Sequence, residues 1–565
     1  MRLSKMAVDA CAMWLVIVAL SAWTATSESN DDRECLYNGI RLPDQWPPRR
    51  ELTLDPQPVP YLKNPPAVVP IDVGRQLFVD DFLIENTTLK RTYHRVEPYS
   101  GNPVITPDRP WEKATTRAIA MVFGDGVWYD PADCHFKMWY MGAWCESTCY
   151  AVSKDGLHWE KPSLDVESGT NVVLRETRDS SIVWLDLNDP DPRRRYKMVY
   201  FGKNNPYLML RVSADGIHWS EVVARNPIRT TAPGAGPGAE FGDRHTVFYN
   251  PFRTVWVYSL RVSNGFGRAR YYREHPDLAK GFEWTADEVV PWLCADRLDP
   301  FNPGGYGVGD RDGRGVLAKD KANAQLYNFD AVAYESLMLG MFSIWQGDPA
   351  ARGNQKRNEV MLGYSRDGFH FSRPDRRPFL GIDESDDAWN WGNVQSAGGG
   401  CLVVGDKLYF YHSGWRDRTT GPAGTGVAFL RRDGFASMDA DKAEGTLTTR
   451  PVRFAGKHPF VNLDAAAGRL RAEILDESGR VIEPFSKANC VPVQGDETRV
   501  AVKWNGAEDL AAVAAKPVRF RFFLRDGRLY SFWVSPDVSG ASHGYVAAGG
   551  PGFTGTTDTV GAGQP

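Results

Sequence analysis

Four aspartates stand at the starts of strand-like segments that are far apart in the sequence. They are Asp125, Asp179, Asp243 and Asp330. Carboxylates gathered in one place repel one another, so one can hold a proton while another stays ionised. Cleavage of a glycosidic bond needs this division between an acid and a base. The alternative is that each aspartate only closes a turn before a strand.

Several other side chains are candidates for substrate binding. Arg244 and His245 directly follow Asp243 and could hold a carboxylate, a sulfate or a hydroxyl group of a substrate. The remaining candidates in this set are Glu335, Trp391, Asn393 and Gln395. Two of these, Asn393 and Gln395, open a strand-like run comparable to the runs that carry the four aspartates.

A repeated motif indicates which elements must position these residues. The pattern D-G-apolar-H-aromatic begins at Asp155, Asp215 and Asp367, and weaker copies begin at Lys280 and Asp433. The intervals of roughly 60 to 90 residues, with alternating apolar strands around each turn, fit units of four antiparallel strands in a β-propeller. Because the histidine recurs at one position in separate units, we expect it to be structural and not a metal ligand.

The repeat count predicts an all-β protein with a five-bladed β-propeller followed by a C-terminal β-sandwich. In a propeller the innermost strands surround one axis, so residues at their starts converge although they are distant in sequence. We therefore expect the four aspartates to meet at the central mouth. The remaining cysteines lack the spacing of a metal site, so no metal and no cofactor is predicted. Cys134, Cys145 and Cys149 are close enough in sequence for one disulfide.

Composition excludes several classes of partner. Among 565 residues, 66 Lys and Arg stand against 70 Asp and Glu, so the chain lacks the basic excess that nucleic-acid binding requires. Arg2 and Lys5 precede a short apolar stretch that is typical of a signal peptide and too short to span a membrane. We expect a secreted or periplasmic protein with a carbohydrate substrate. The sequence carries no prediction of oligomeric state.

The predicted domain organisation has five parts. They are a signal peptide at 1–27, an extended segment at 28–75, the propeller at 76–445, the β-sandwich at 446–536 and a disordered tail at 537–565. The sandwich should pack on the propeller as a lasting unit, and the tail, which is poor in apolar residues, should be removable without effect.

The sequence resembles the five-bladed propeller glycosidases of glycoside hydrolase families 32 and 43. The resemblance rests on F-V-D-D-F-L-I-E at 78–85, F-K-M-W-Y at 136–140, the D-G-x-H-W turns and G-x-L-R-A-E-I-L-D at 468–476. More specifically, these motifs resemble a group of secreted bacterial proteins described as family-32-like. The resemblance covers about residues 75 to 536. The run at 78–85 is expected to close the ring of blades or to lend Asp80 or Asp81 to the site.

By blade position, the resemblance implies that Asp125 is the base or nucleophile, that Asp179 modulates a pKa and that Asp243 is the acid. The family usually has Glu in the third place, so Glu240, Asp330 or Glu335 could be the acid instead. The invertase block W-M-N-D-P-N-G is absent, which leaves the sugar open. The implied function is a secreted glycoside hydrolase, and the alternative is a glycan-binding propeller without catalysis.

Overall fold

The computed structural model describes residues 33–559 except 204–206, 228–239, 265–266, 301–323, 347–356, 386 and 417–420. The predicted signal peptide at 1–27 lies outside the described residues. Within them the protein is almost entirely β, with one short helix, α1 (Pro60–Lys63), and short 3-10 helices at Pro110–Lys113, Pro192–Arg194, Lys280–Phe282 and Ala286–Glu288. No helix of the described part is long and apolar enough to cross a membrane.

Short strands come first along the chain. They are β1 (Val69–Pro70), β2 (Gln76–Leu77), β3 (Ile84–Thr87), β4 (Lys90–Tyr93) and β5 (Glu97–Pro98). Of these five strands, only β5 pairs with a strand of the groups described next, near residue 428.

Five consecutive groups of antiparallel strands follow. The first contains β6 (Ala120–Asp130), β7 (His135–Gly142), β8 (Ser147–Ser153) and β9 (Val172–Leu174). The second contains β10 (Arg178–Leu185), β11 (Tyr196–Gly202), β12 (Tyr207–Ser213) and β13 (Ala224–Pro227). The third contains β14 (Glu240–Phe241), β15 (Thr246–Asn250), β16 (Val255–Asn264), β17 (Gly267–His275) and β18 (Val290–Cys294).

The last two groups are joined at one residue pair. The fourth contains β19 (Gln325–Glu335), β20 (Leu337–Trp345) and β21 (Asn358–Ser365). The fifth contains β22 (Asn393–Ser396), β23 (Leu402–Val404), β24 (Lys407–Trp415) and β25 (Ala423–Arg431), with β5 as its outer strand. Asn358 and Asn393 form the parallel pair between the two groups.

The D-G-x-H motif forms the same turn in three groups. In the first, Asp155 accepts the backbone N–H groups of Leu157 and His158 through Oδ1 and holds His158 Nδ1 at 2.7 Å through Oδ2. The turns that begin at Asp215 and Asp367 repeat these contacts. Each glycine has a positive φ, from 76° to 80°, which a side chain would disfavour. The histidines are therefore turn residues, as the sequence predicts.

Neighbouring groups are tied together through buried aromatic side chains. Trp139 on β7 donates its indole N–H to Gly216 O in the turn of the second group at 2.7 Å. The Tyr411 hydroxyl on β24 donates to Gly156 O, which joins the fifth group to the first. The innermost strands β6, β10, β15 and β19 contact one another in sequence, and β22 contacts β6. The strands thus surround a common axis, and the all-β propeller class is confirmed.

The C-terminal region forms one continuous nine-stranded sheet. Its own strands are β26 (Ala436–Ala440), β27 (Gly445–Thr449), β29 (His458–Leu475), β30 (Val493–Ala501), β31 (Arg519–Arg525) and β32 (Gly527–Ser535). The first half of β29 pairs with β32 and its second half pairs with β31. A separate two-stranded pairing joins β1 to β28 (Val452–Arg453). A two-layer sandwich remains a prediction for this region.

The N-terminal part of the predicted propeller belongs to this sheet instead. Strands β2, β3 and β4 pair with β32, β27 and β26, so residues 76–93 complete the C-terminal sheet. The run at 78–85 therefore does not close the ring. Instead, β5 pairs with β25 and forms the outer strand of the fifth group. The physical reason is the apolar content of the run, since Phe78, Phe82 and Leu83 are buried in the core of the C-terminal sheet.

The segment after Pro536 is structured up to residue 559, in contrast to the expected disorder. β33 (Tyr545–Val546) pairs with β19, and Ala548 and Gly549 bond to backbone groups near β6 and β23. This closed-end segment (residues 541–558) therefore lies across the ends of β6, β19 and β23. Its backbone hydrogen bonds and the buried Asp558 stabilise it despite few apolar residues. Residues 560–565 lie outside the described part.

The seven cysteines that follow the predicted signal peptide are all free. The disulfide expected among Cys134, Cys145 and Cys149 is therefore not formed. Cys134 is exposed, whereas Cys145 and Cys149 are buried.

Candidate active site at the propeller mouth

The four predicted aspartates lie on or beside the innermost strands of the first four groups. Asp125 lies within β6, where the pairing with β7 is irregular between Met121 and Gly126. Asp179 is the second residue of β10, Asp243 lies between β14 and β15 and three residues ahead of β15, and Asp330 lies in the middle of β19. The aspartates therefore do not all begin their strands, although they belong to adjacent inner strands.

The charge of one guanidinium acts on three of these carboxylates. Arg244 lies 3.7 Å above the ring of Phe123 and donates from Nη2 to Phe123 O at 3.0 Å. Its positive charge favours the ionised forms of Asp125, Asp179 and Asp330. Gly124 permits the close approach, because a Cβ there would lie 2.9 Å from Nη1 of Arg244. We call Arg244 and the four aspartates the mouth cluster.

Asp125 is completely buried. Its Oδ2 accepts from Nη2 of the equally buried Arg178 at 2.8 Å, and its Oδ1 has no partner in the described part of the chain. Burial raises the pKa of Asp125, while Arg178 and Arg244 oppose the rise. A carboxylate held in this way has no open side for a substrate, so it suits a positioning role.

Asp179 and Asp243 form an interacting pair of carboxyl groups. The neighbouring Ser180 hydroxyl donates to the backbone carbonyl of Asp243 at 2.7 Å, which fixes the two segments against each other. Burial, followed by repulsion from Asp243, raises the pKa of Asp179 to about 7. The Asp243 side chain is 59% exposed and lies 3.9 Å from Arg261. One member of the pair can therefore hold a proton near neutral pH while the other faces solvent.

Asp330 is buried between two hydrogen-bond donors. Its Oδ2 accepts from the Asn328 amide and from the Ser396 hydroxyl, each at 2.7 Å. Burial raises the pKa of Asp330 to about 6, and Arg244 opposes the rise. Because Ser396 belongs to β22, this contact ties the fourth group to the fifth at the mouth.

His245 is a structural residue and not a sugar ligand. Its Nε2 lies 2.6 Å from Gly242 O, and its Nδ1 accepts from the backbone N–H of Arg261 at 3.1 Å. Burial lowers the pKa of His245 to about 3, so the ring is neutral. Both ring nitrogens are occupied by the backbone, which leaves neither for a substrate.

The predicted residues of the fifth group lie on or just ahead of β22, whose Ser396 contacts Asp330. Gln395 donates from Nε2 to Oδ1 of Asn393 at 2.9 Å, and its Oε1 has no partner within the described chain. Trp391 is buried just ahead of β22. The structure therefore brings Asn393 and Gln395 near the mouth cluster through Ser396, their neighbour on β22.

Glu335 is at the opposite end of β19 and is not part of the mouth. Its carboxylate accepts from Ser542 at 2.6 Å and from Arg432 at 3.2 Å, and the backbone N–H of Arg75 donates to it at 3.1 Å. A substrate at the mouth cannot reach it, so the prediction that Glu335 binds substrate is corrected.

The alternatives Asp80 and Asp81 are also remote from the mouth. Asp80 accepts three hydrogen bonds from the buried Arg366, and Asp81 pairs with Arg91 at the surface.

Cations beside aromatic rings also lie around the mouth, and sequence reasoning missed them. Arg117 lies 5.0 Å from the ring of Trp144 and 4.9 Å from that of Trp415, and Lys203 lies 5.7 Å from Trp144. Trp144 in turn contacts Phe123 below Arg244. Arg178 was also missed, and a signal for it exists, because it is adjacent to Asp179 as Arg244 is adjacent to Asp243.

Within the described ranges no group of three or more His, Cys, Asp or Glu side chains could hold a metal ion. No model of a protein family matches the chain, and no curated protein matches it.

Solved structures do match. A thermostable family-43 glycoside hydrolase is 13% identical, covers 57% of this chain and 94% of its own, and has a TM-score of 0.37. The β-1,2-mannobiose phosphorylase from Listeria innocua is 13% identical, covers 60% and 98%, and has a TM-score of 0.39. A family-32 β-fructofuranosidase from Bombyx mori is 12% identical, covers 74% and 91%, and has a TM-score of 0.34. The chain is similar in fold to these enzymes. Identities and TM-scores this low assign it neither a substrate nor a reaction.

Proposed function

We propose that the protein is a glycoside hydrolase that cleaves a plant, algal or microbial polysaccharide or oligosaccharide at the propeller mouth. The observation that carries this proposal is the grouping of Asp125, Asp179 and Asp330 around Arg244, with Asp243 beside them. Carboxyl groups from four separate strand groups share one electrostatic environment there. Glycosidic cleavage uses such carboxyl groups with separated pKa values.

The structure supports different roles from those that the family resemblance implies. Asp179 is the general acid in this proposal, because its pKa of about 7 keeps a proton available near neutral pH. Asp243 is the exposed carboxylate that attacks the sugar or activates water. Asp125 holds Arg178 in place, and Asp330 binds Asn328 and Ser396, so both are positioning residues.

A glycan-binding propeller without catalysis is the second candidate. It is favoured by the state of Asp125, which occupies the expected place of the base and yet is buried against Arg178. The cations and indole rings around Arg117 would serve binding equally well.

The test compares turnover with binding on one glycan panel. Wild type should release reducing sugar from at least one glycan, whereas Asp179→Asn and Asp243→Asn should bind that glycan and release about 10² to 10⁴ times less. Asp496→Asn, a surface change in the C-terminal sheet, is the matched control and should remain fully active. Binding of a glycan by wild type without any turnover would reject the hydrolase and support the second candidate. The predicted signal peptide at 1–27 would place either activity outside the cytoplasm.

A further inference from the structure

A cleft separate from the mouth cluster opens between the fourth and fifth strand groups. Its volume is about 1050 Å³, at the upper end of the usual range for ligand sites. It is lined by residues of β21, β24 and β25, by the chain around β5, and by the segment that leads into β22. Neither Arg244 nor any of the four aspartates lines it.

One wall of the cleft is the indole ring of Trp389. The ring lies against two strand glycines, since a Cβ on Gly414 would be 2.5 Å from it and a Cβ on Gly426 would be 2.7 Å from it. It stacks beside His412 with centroids 5.6 Å apart and planes 25° apart. Trp389 is half-buried, so the glycines let a flat aromatic surface lie on the sheet and border the cleft.

Polar groups surround this ring. Asn390, the next residue, is 7% exposed, and its Oδ1 has no partner within the described part of the chain. A buried carbonyl oxygen without a donor is costly and is satisfied when a hydroxyl group binds. Glu359 is buried in the cleft wall, where it accepts from Gln346 at 2.6 Å and from the Ile382 N–H at 3.1 Å.

The charges of the cleft largely neutralise one another. Arg357 lies 3.3 Å from Glu359 and 2.9 Å from Glu384, so the main buried carboxylate already has a cation. Arg95 also lines the cleft, so two cations, Arg95 and Arg357, stand against the three carboxylates of Glu359, Asp383 and Glu384. A phosphate, sulfate or uronate group would therefore meet an excess of negative charge. A ligand with an apolar face for the indole and uncharged hydroxyl groups for the amide fits better.

We propose that this cleft is a second carbohydrate-binding site, which takes neutral sugar units on Trp389 and Asn390. The site goes beyond the proposed function and does not depend on catalysis at the mouth. Trp389 is four residues ahead of Asn393, which begins β22 beside the mouth cluster. A polysaccharide held on Trp389 would therefore raise the effective concentration of sugar at the mouth.

The test is calorimetric titration of the full chain with short neutral oligosaccharides of xylose, arabinose, mannose or glucose. Wild type and Asp179→Asn should bind at least one of them with equal affinity. Trp389→Ala should raise the Kd about tenfold or more, as expected for loss of a central aromatic contact. Trp219→Ala is the matched control, because this half-buried indole belongs to a turn of the second group and should leave binding unchanged.

Asn390→Ala provides a second variant if Trp389→Ala does not fold, which circular dichroism would reveal. It should also weaken binding. The proposal is overturned if no neutral sugar binds, if only sulfated or uronic oligosaccharides bind, or if both variants bind like wild type. Loss of binding in Asp179→Asn with normal binding in Trp389→Ala would place the sugar at the mouth and also overturn it. Loss of turnover in Asp179→Asn does not bear on the cleft, so the two proposals fail separately.

Discussion

Strand β19 carries two buried carboxylates, one in its middle and one at its end, and the two have different hydrogen-bond partners. Glu335 at its end contacts two arginines, whereas Asp330 in its middle accepts only from an amide and a hydroxyl in the described structure. The first belongs to the closed end of the propeller and the second to the mouth cluster. The comparison shows that one strand carries a carboxylate neutralised by arginines at the closed end and a carboxylate held by uncharged donors at the mouth.

At the closed end every carboxylate has an arginine. Arg75 lies 3.0 Å from Asp433 and 3.4 Å from Glu335, and Arg432 lies 3.2 Å from Glu335 and 2.9 Å from Asp558. Burial alone would raise the pKa of Asp433, but Arg75 and Arg432 bring it below its usual value. This cluster joins β19, the C-terminal sheet and the closed-end segment, so its role is structural.

At the mouth the direction differs from that of Asp433. Burial, followed by repulsion from Asp243, raises the pKa of Asp179 to about 7, and burial raises that of Asp330 to about 6. Arg244 keeps Nε and Nη1 without a hydrogen-bond partner in the described chain, as Arg75 Nη2 and Arg432 Nε do at the closed end. Strongly raised carboxyl pKa values such as that of Asp179 are typical of functional sites.

The largest effect is expected from removal of the closed-end segment. A chain that ends at residue 536 loses Asp558, Ser542 and β33, and it leaves Arg432 and Glu335 buried with fewer partners. The free energy of unfolding should fall by more than about 5 kcal/mol, since loss of one partner of a buried pair alone costs 3–5 kcal/mol. Urea denaturation measures this change. A chain that ends at residue 559 is the control, and equal stability of the two chains would contradict a structural role for the segment.

The same substitution at the two ends should have opposite consequences. Asp433→Asn leaves Arg75 without its carboxylate and should lower the free energy of unfolding by about 3 kcal/mol or more. Asp179→Asn removes a repelled carboxylate, so stability should stay level or rise, while turnover falls about 10² to 10⁴ times. Thermal melting measures the stability of both variants, and initial rates measure their turnover. Destabilisation by Asp179→Asn together with full activity would remove the distinction between the two ends.

The repeat was predictable because its information is local. The D-G-x-H turn contains its own hydrogen-bond partners, and the serine two residues before Asp155 donates to it as well. The motif therefore predicts the same turn wherever it occurs, and from five copies the propeller class followed. The positions of the strand ends are set by pairing with other strands, so the aspartates were not all at strand starts.

The closed end was not predictable in this way. Glu335 and Asp330 are close in sequence, and only the distant partners Arg75, Arg432 and Asp558 decide which of them is paired. The closed-end segment looks disordered by composition because it is poor in apolar residues. It is ordered by backbone hydrogen bonds to residues more than a hundred positions away, which no local pattern records.

A smaller effect is expected from Glu335→Gln, which keeps the shape of the side chain and removes its charge. The free energy of unfolding should fall by about 1–3 kcal/mol, because the hydrogen bonds from Arg432 and Ser542 weaken while the Arg75–Asp433 pair remains. The KM for a glycan substrate should not change. A raised KM with unchanged melting temperature would instead restore Glu335 as a substrate-binding residue.

The smallest effect concerns the pH dependence of the mouth. The pKa of Asp179 is about 7 in the folded protein and about 4 in an unfolded chain, so the folded state binds more protons between these values. The contribution of this bound proton to stability is complete below pH 4 and is lost as the pH rises through about 7. Stability should therefore fall as the pH rises from about 4 to about 7 in wild type, and this part of the fall should be absent from Asp179→Asn. Turnover should fall about tenfold for each pH unit above 7 as the acid loses its proton.

Denaturation and rate profiles from pH 4 to 9, compared between wild type and Asp179→Asn, test both statements. The variant should lack this part of the stability change, and an identical stability profile in the two proteins would show that Asp179 does not titrate in this range.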